Sequence, residues 1–331
     1  MSSYSDLEAE AVPGGAGPEP VRGRSPFRLG WERFRRDRTA LLALAALALV
    51  VLFATAAPLL AAVTGHPYDV TYPDTGLDLN GMPVGPGREF WLGADQLGRD
   101  VLVRAAYGAR ISLLVGVAAT VVATLLGVAV GVLAGYAGGA VDTVLARFMD
   151  ITLALPYLLV AIVLASTFQI TAVAGSLALT VVVIAFFSFA AMGRILRGQV
   201  LSMREKEFVE AARSLGAGPL RIMRVDVLPN LVAPVVVLAS LLIPTAIVFE
   251  STLSFLGVGV RPPMPSWGSM LGEGSDVFQT AWWLLAVPGV LLLVTTLSFN
   301  LLGDAVRDAV DPRAERLATS RAGTVVEDGE G

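Results

Sequence analysis

Cysteine is absent from this chain, and histidine and lysine each occur once, as His66 and Lys206. Without cysteine there is no disulfide framework and no thiolate metal site. A single histidine excludes the His-Glu-x-x-His zinc centre of membrane metalloproteases. With no second histidine or cysteine to join it, His66 reads as a surface imidazole rather than a ligand. A loop that cradles nucleotide phosphates needs glycines followed by Lys and Ser or Thr. Lys206 stands instead between Glu205 and Glu207, so this polypeptide carries no such loop. The serine of "FFSFA", Ser188, lacks the glycine frame of a nucleophile elbow. Charge is scarce as well, at 16% of residues. No catalytic residue, metal site or cofactor site is expected, and the chain is not read as an enzyme.

Hydrocarbon is what the chain has in abundance. Hydrophobic residues make up 55% of it and the mean hydropathy is +0.69, which fits a multi-span membrane protein. Crossing a bilayer takes about 20 mostly apolar residues in a helix. Leu41 to Val63 and Ile111 to Val141 are uncharged and long enough. Ile151 to Gly193 is too long for one crossing, and a polar break at Ser166, Thr167, Gln169 and Thr171 divides it into two. Leu231 to about Gly257 and Ala281 to about Leu302 complete six. None shows the short alternating segments of a β-barrel, so the expected class is all-α. Gly127, Gly131 and Gly135 recur every fourth residue and predict a smooth groove for a neighbouring helix. Pro156 and Pro244 fall inside spans, as packing kinks or as flexible points of a moving helix.

Arginine sets the expected orientation. Seven arginines lie in residues 22–38, six arginines and Lys206 in residues 193–226, and four arginines after the sixth span. The connection after the first span carries more acids than bases. With Arg147 between the second and third spans, this places 19 of 24 basic residues, and both termini, in the cytoplasm. Residues 1–24, rich in Pro, Gly, Ser and Glu, read as a disordered cytoplasmic tail. Residues 25–65 read as a juxtamembrane segment plus the first span, 66–110 as an extracytoplasmic loop, 111–303 as the transmembrane core and 304–331 as a cytoplasmic tail. The Arg-rich segment Arg22 to Arg38 suits orientation and lipid-surface contact, and "WERFRRD" within it also suits a short amphipathic helix on the inner leaflet.

One charged island interrupts the apolar chain: "EKEFVEAARSLGAGPLRIMRVDVLPN", Glu205 to Asn230. Ser202 and Glu205 have capping-box spacing, which predicts a helix start there. Phe208, Ala211, Ala212 and Leu215 then follow helical periodicity, with Lys206, Glu207, Glu210 and Arg213 on the remaining surface. Gly216 is placed to stop this helix, Pro219 to start a second, and Pro229 to end that one before the fifth span. Two short amphipathic helices with a glycine elbow between them are therefore predicted. Their small, alanine-rich stripe suits a groove on another protein, or packing along the chain's own bundle. Spacing alone does not choose between these.

The run Glu210-Ala211-Ala212, then Gly216, then Leu228-Pro229 resembles the EAA signature of ABC-importer permeases. Three further stretches, "LGADQLGRDVLVRAAYGARISL", "SFLGVGVRPPMPSWGSML" and "NLLGDAVRDAVDPR", resemble permeases of the dipeptide and oligopeptide type, over roughly Ser25 to Arg313. Asp226 stands where that branch usually has histidine, and Ala94 and Val103 replace its usual Thr and Ser. The resemblance implies the type I importer fold, with Phe208, Glu210, Ala211, Ala212, Leu215, Gly216, Leu228 and Pro229 coupling the permease to ATP-hydrolysing subunits. It implies ATP and Mg bound by two such partner subunits, a second homologous permease, and an extracytoplasmic substrate-binding protein. The setting would be the inner membrane of a prokaryote, with peptides as substrate and no nucleic acid among the partners. Nickel complexes and glutathione are carried by the same branch.

Some single residues stand apart. Glu250 lies 20 residues past Asn230, so about 30 Å along a helix, near the outer edge of the hydrocarbon. There it reads as a structural hydrogen-bonding partner or part of an external gate. A proton-coupled secondary transporter, the rival reading, needs such a carboxylate near the midplane. Asp95, Arg99 and Asp100 read as local salt bridges or, by the resemblance, as an external gate or binding-protein contact. Trp267, Trp282 and Trp283 flank the last external loop as interfacial anchors. Pro262, Pro263 and Pro265 stiffen that loop, which the resemblance places under a docked binding protein.

Overall fold

The structure is a computed structural model that describes Arg35 and residues 37–310, apart from 169 and 171. The expectations for the N-terminal tail, most of "WERFRRD", Gln169, Thr171 and the tail beyond residue 310 lie outside the described residues. The described residues are helical, without strands. Helix α1 (Arg38–Thr55) starts where the Asp37 carboxylate accepts from the amides of Thr39 and Ala40 at 2.8 and 3.3 Å. Helices α2 (Ala57–Thr64) and α3 (Pro73–Gly76) lead into a folded loop. Helix α4 (Val101–Ala137) is capped by Asp100 and ends at Gly138, whose φ of 68° few other residues adopt. It begins ten residues before the apolar run, because Arg104 is buried against acids from elsewhere in the chain.

Helix α5 (Gly139–Ala154), helix α6 (Tyr157–Thr167) and helix α7 (Val173–Met203) follow. The glycine groove explains how they are arranged. A methyl group on Gly127 would meet Met192 Cβ at 3.1 Å, one on Gly131 the Gly193 carbonyl at 2.7 Å, and one on Gly135 Val200 Cβ at 2.7 Å. Each step along α4 is matched by a step in the same direction along α7, so these two helices are parallel. The chain between them must return across the bundle, and α5 and α6 do so. They meet at an angle of 86° at Leu155–Pro156. Pro156 is thus the cap of α6 and not a mid-helix kink. Among the described residues five helices are long and apolar enough to cross a membrane, and the bent pair counted as one span makes six.

A short connection holds α8 (Glu207–Ser214), α9 (Pro219–Ile222) and a π-helical turn (Met223–Val227), which run into α10 (Leu228–Phe255). Pro244 lies buried inside α10. Helix α10 is antiparallel to α4, with Ile247 over Gly116. Helices α11 (Trp267–Gly274) and α12 (Trp283–Val310) complete the bundle, Gly303 facing Leu241 of α10. Helix α1 packs its last turns, Val50 and Ala54, beside Ala109 and Trp267. The start of α1, the end of α12 and the α8–α9 elbow therefore share one end of the bundle. The loops at 65–100 and 256–282 share the other.

Two of the three tryptophans expected at the membrane interface are core pins. Trp267 Nε1 donates to the Ala105 carbonyl at 3.2 Å, and Trp283 Nε1 donates to the Ala94 carbonyl at 3.0 Å. Both are buried, and only Trp282 is left exposed. Each indole proton found a backbone acceptor inside the fold, so neither ring needs the wet interface.

The α4–α7 contact yields a matched test. Gly131→Ala places a methyl against backbone and is expected to cost about 1–3 kcal/mol. Gly198→Ala, on the same α7, has nothing within 4 Å to meet and is expected to be neutral or slightly stabilising. Thermal inactivation in detergent, read by retention of the monodisperse protein, should rank Gly131→Ala well below wild type and Gly198→Ala at or above it.

Candidate coupling elbow and far-end hydrogen-bond hub

The elbow is built differently from its expected cap. Ser202 remains inside α7, and α8 starts at Glu207 with the extended Lys206 before it, so no Ser202–Glu205 box forms. Helix α7 continues because Val200 and Met203 pack into an apolar cluster under the elbow. Val209, fully buried, seats α8 on that cluster with Ile222, Val227, Leu196 and Leu231. Ala212 faces the same way, and the Arg213 guanidinium lies 5.7 Å from the Tyr136 ring centroid.

The expected stripe therefore divides. Ala212 packs inward, while Phe208 (40% exposed), Ala211 and Leu215 (88% exposed) point away from the chain's own bundle, beside exposed Glu210. Val209, the residue that fixes the helix, was missed. Its spacing to Ala212 is as helical as that of Phe208 to Ala211, and periodicity has no means of saying which arc meets the bundle. Gly216 ends α8 at φ 82°, its amide donating to the Arg213 carbonyl at 2.9 Å and that of Ala217 to the Ala212 carbonyl at 3.0 Å. Pro219 opens α9. Leu228 leans into the cluster. Pro229 does not end a helix. The π-helical turn widens the backbone ahead of it, so the missing proline amide is absorbed and the helix runs on into α10. Asn230 Nδ2 donates to the Asp226 carbonyl there at 2.6 Å. Beneath the elbow, Arg197 makes a two-pronged ion pair with Asp142 of α5.

At the other end, Glu250 is fully enclosed. Ser112 of α4 donates to its Oε2 at 2.8 Å and Ser254 to its Oε1 at 2.7 Å, with Ser251 at 3.4 Å. Both partner serines accept in turn: Ser112 Oγ from the Trp267 amide at 3.3 Å, and Ser254 Oγ from the Val260 amide at 3.2 Å. One carboxylate thereby joins α4, α10 and the segment that enters α11.

Asp95, Arg99 and Asp100 belong to two separate groups. Asp95 holds Arg99 Nε at 2.7 Å, and Arg99 Nη2 reaches Glu273 of α11 at 2.8 Å. Arg104 joins the same network, 3.2 Å from Asp95 and 2.9 Å from Glu273. Asp100 instead caps α4 and lies 3.2 Å from His66 Nδ1. Burial pushes the Asp100 carboxyl above the usual carboxylate range, partly offset by the Val103 amide and His66. His66 is not a surface group: it is only 8% exposed, stacked on Phe90 at 4.6 Å between centroids. Its partner lies 34 positions away in the sequence, out of reach of local reading.

Residues 127–316 match the family of binding-protein-dependent transport system inner membrane components, and residues 25–82 match the N-terminal membrane domain of oligopeptide transport permease C. The chain is 40% identical over 296 residues to the di/tripeptide transport permease DppC of Pseudomonas aeruginosa, covering 89% of this chain and 94% of the relative. The chain belongs to the binding-protein-dependent transport permeases. This permease is also 41% identical over 293 residues to the oligopeptide permease OppC of Salmonella typhimurium (88% and 93% covered), and 39% identical over 298 residues to the glutathione permease GsiD of Salmonella paratyphi A (89% and 93% covered). Among solved structures, the inward-facing MetNI methionine ABC transporter has a chain of like fold, with a TM-score of 0.52 at 18% identity over 62% of this permease and 94% of that chain. That likeness concerns the fold. The permease-C match covers α1 to α3, and the larger match takes in the elbow and Glu250, while Ser112 lies before its start.

The hub gives a prediction. In the permease, Glu250→Leu strands the buried Ser112 and Ser254 hydroxyls and is expected to cost about 1–3 kcal/mol of stability. Glu250→Gln, which keeps an acceptor and gains a donor, is expected to lose less than half as much. Thermal inactivation of the two variants beside wild type measures both, and equal losses would make charge, not hydrogen bonding, the basis of the hub.

Proposed function

We propose that this chain forms one half of the translocation pathway of an ATP-driven importer for peptides. It pairs with a second, similar permease and rests its elbow on one of two ATP-hydrolysing subunits. Those subunits bind ATP and Mg; this chain binds neither. A binding protein outside the cell delivers substrate to the far end, and the elbow end faces the cytoplasm, where the arginines concentrate. In this reading the membrane is the inner membrane of a prokaryote.

The observation that carries the proposal is the division of α8. Val209 fastens the helix to its own bundle, and Phe208, Ala211 and Leu215 are left facing outward on a rigid base. A connector that served only its own bundle would turn its large apolar side chains inward. An amphipathic helix seated on one side and open on the other has the form of a helix offered to a groove. When the ATPase subunits draw together, a rigid elbow passes their displacement into α7 and α10, and the far end opens or closes. Peptides as substrate follow from the identity to the dipeptide and oligopeptide permeases. The 39% identity to a glutathione permease supports a second reading, in which the cargo is that modified tripeptide. A proton-coupled mechanism fits poorly, since both Glu250 oxygens are committed to serine hydroxyls in an enclosed site.

The test is reconstitution of the full complex in liposomes with binding protein, ATP, and labelled di-, tri- and oligopeptides or glutathione. Phe208→Asp and Leu215→Asp are expected to fold normally and to lower both uptake and binding-protein-stimulated ATP hydrolysis about tenfold or more, as removal of an interface anchor does. Val209→Asp is expected to lower the yield of folded protein instead. Uptake driven by a pH gradient in the absence of the ATPase subunits would overturn the proposal.

A further inference from the structure

The wall of the bundle formed by α1 and α4 is not filled. A shallow, open groove of about 480 Å³ runs between them. Val51 and Ala54 of α1 form one side, Leu113, Leu114 and Val117 of α4 the other, and Arg110 stands at one end. Nearly all of this lining is hydrocarbon, so the groove is apolar with a single cation at its mouth.

The depth of that cation is fixed by the helix. Arg110 and Gly135 are 25 residues apart on α4, about 37 Å at 1.5 Å per residue. With Gly135 at the elbow end and a hydrocarbon layer of about 30 Å, Arg110 falls at headgroup level in the far leaflet. Arg99 and Arg104 are committed to Asp95 and Glu273. Arg110, by contrast, is exposed and forms no ion pair among the described residues. Its guanidinium lies 5.6 Å from the ring centroid of Tyr107, whose ring is tilted against that of Tyr68 at 4.4 Å between centroids, and this holds the cation beside the groove.

We propose that this groove binds an anionic phospholipid of the far leaflet, its phosphate on Arg110 and one acyl chain along Leu113, Val117 and Val51. The site and the lipid share one asymmetry: charge at a single end, at interface depth, and hydrocarbon for the rest. Guanidinium matches phosphate with two parallel hydrogen bonds. A helix from another protein would fill the apolar part but leave the guanidinium uncompensated unless it brought an acid to that depth. The proposal is independent of the transported substrate and of the ATPase subunits. It needs only the transmembrane arrangement of α1 and α4.

The assembled transporter can be reconstituted into phosphatidylcholine vesicles containing phosphatidylglycerol, one of the two lipids carrying a photoactivatable acyl chain at a time. The phosphatidylglycerol probe is expected to cross-link within Val51–Ala54 or Leu113–Val117, and the phosphatidylcholine probe to do so at least fivefold less. Arg110→Gln is expected to erase that difference by lowering the phosphatidylglycerol adduct about fivefold, the preference one basic residue confers near an anionic surface. Val117→Trp, which fills the groove, should remove both adducts. If Val117→Trp fails to assemble, the headgroup comparison in Arg110→Gln decides alone. Equal labelling by the two lipids, an adduct indifferent to Arg110→Gln, or protection of these residues by a helix of another subunit would each overturn the proposal.

Discussion

The close, parallel contact of α4 with α7 is the constraint from which the rest of the architecture follows. At Gly127, Gly131 and Gly135 the second helix comes so near that even a methyl group would strike it. Two parallel helices in such contact cannot be joined by a turn. The chain between them has to recross the bundle, and it does so through α5 and α6, broken at Pro156. Met149 of α5 then packs over Gly193, so the returning segment is held by the same small residues that allow the first contact. The register brings Gly135, Val200 and Arg204 to one end, with Arg204 Nη1 3.4 Å from the Gly135 carbonyl, and this forms the base on which the elbow rests.

From that base a continuous path leads to the far end. Val209, Ile222 and Val227 lock the elbow to the ends of α7 and α10. The π-helical turn joins α9 to α10 across Pro229, so the two form one continuous rod with no loop in it. That rod carries Glu250 some 22 residues from Leu228, about 33 Å along the axis. The helix runs unbroken from the elbow to the level of Glu250, with Pro234 and Pro244 inside it. At the elbow, Val209 anchors α8 inward while Phe208 and Leu215 face outward.

Much of this was legible in the sequence wherever a residue acts through its immediate neighbours. Apolar windows gave the crossings, four-residue glycine spacing gave the groove, and Gly216 and Pro219 marked the elbow, because each signal is local to a turn or a helix face. What remained hidden depended on partners far along the chain. Arg104 looks like a reason to start α4 later, until Glu273, 169 positions away, is seen against it. His66 looks solvated until Asp100 and Phe90 close over it. Trp267 and Trp283 look like interface anchors until each finds a carbonyl inside the fold. Pro229 looks like a stop because the rule for proline assumes an α-helical turn ahead of it, and a π-helical turn removes the conflict.

Glu250 shows why depth alone is a weak guide to what a charged residue does in a membrane. Counting along the helix places it near the outer boundary, where a carboxylate is affordable and several roles are open. The serines narrow them. A group that carries protons must exchange them with water, whereas Glu250 has no exposed surface and both its oxygens accept from hydroxyls. Those hydroxyls are not spare donors either: each accepts a backbone amide from the segment that folds back over the far end. Moving α4 away from α10 at this level therefore breaks a connected set of bonds at once instead of one contact at a time. Such a set acts as a unit, because linked buried hydrogen bonds strengthen one another and hold a single arrangement.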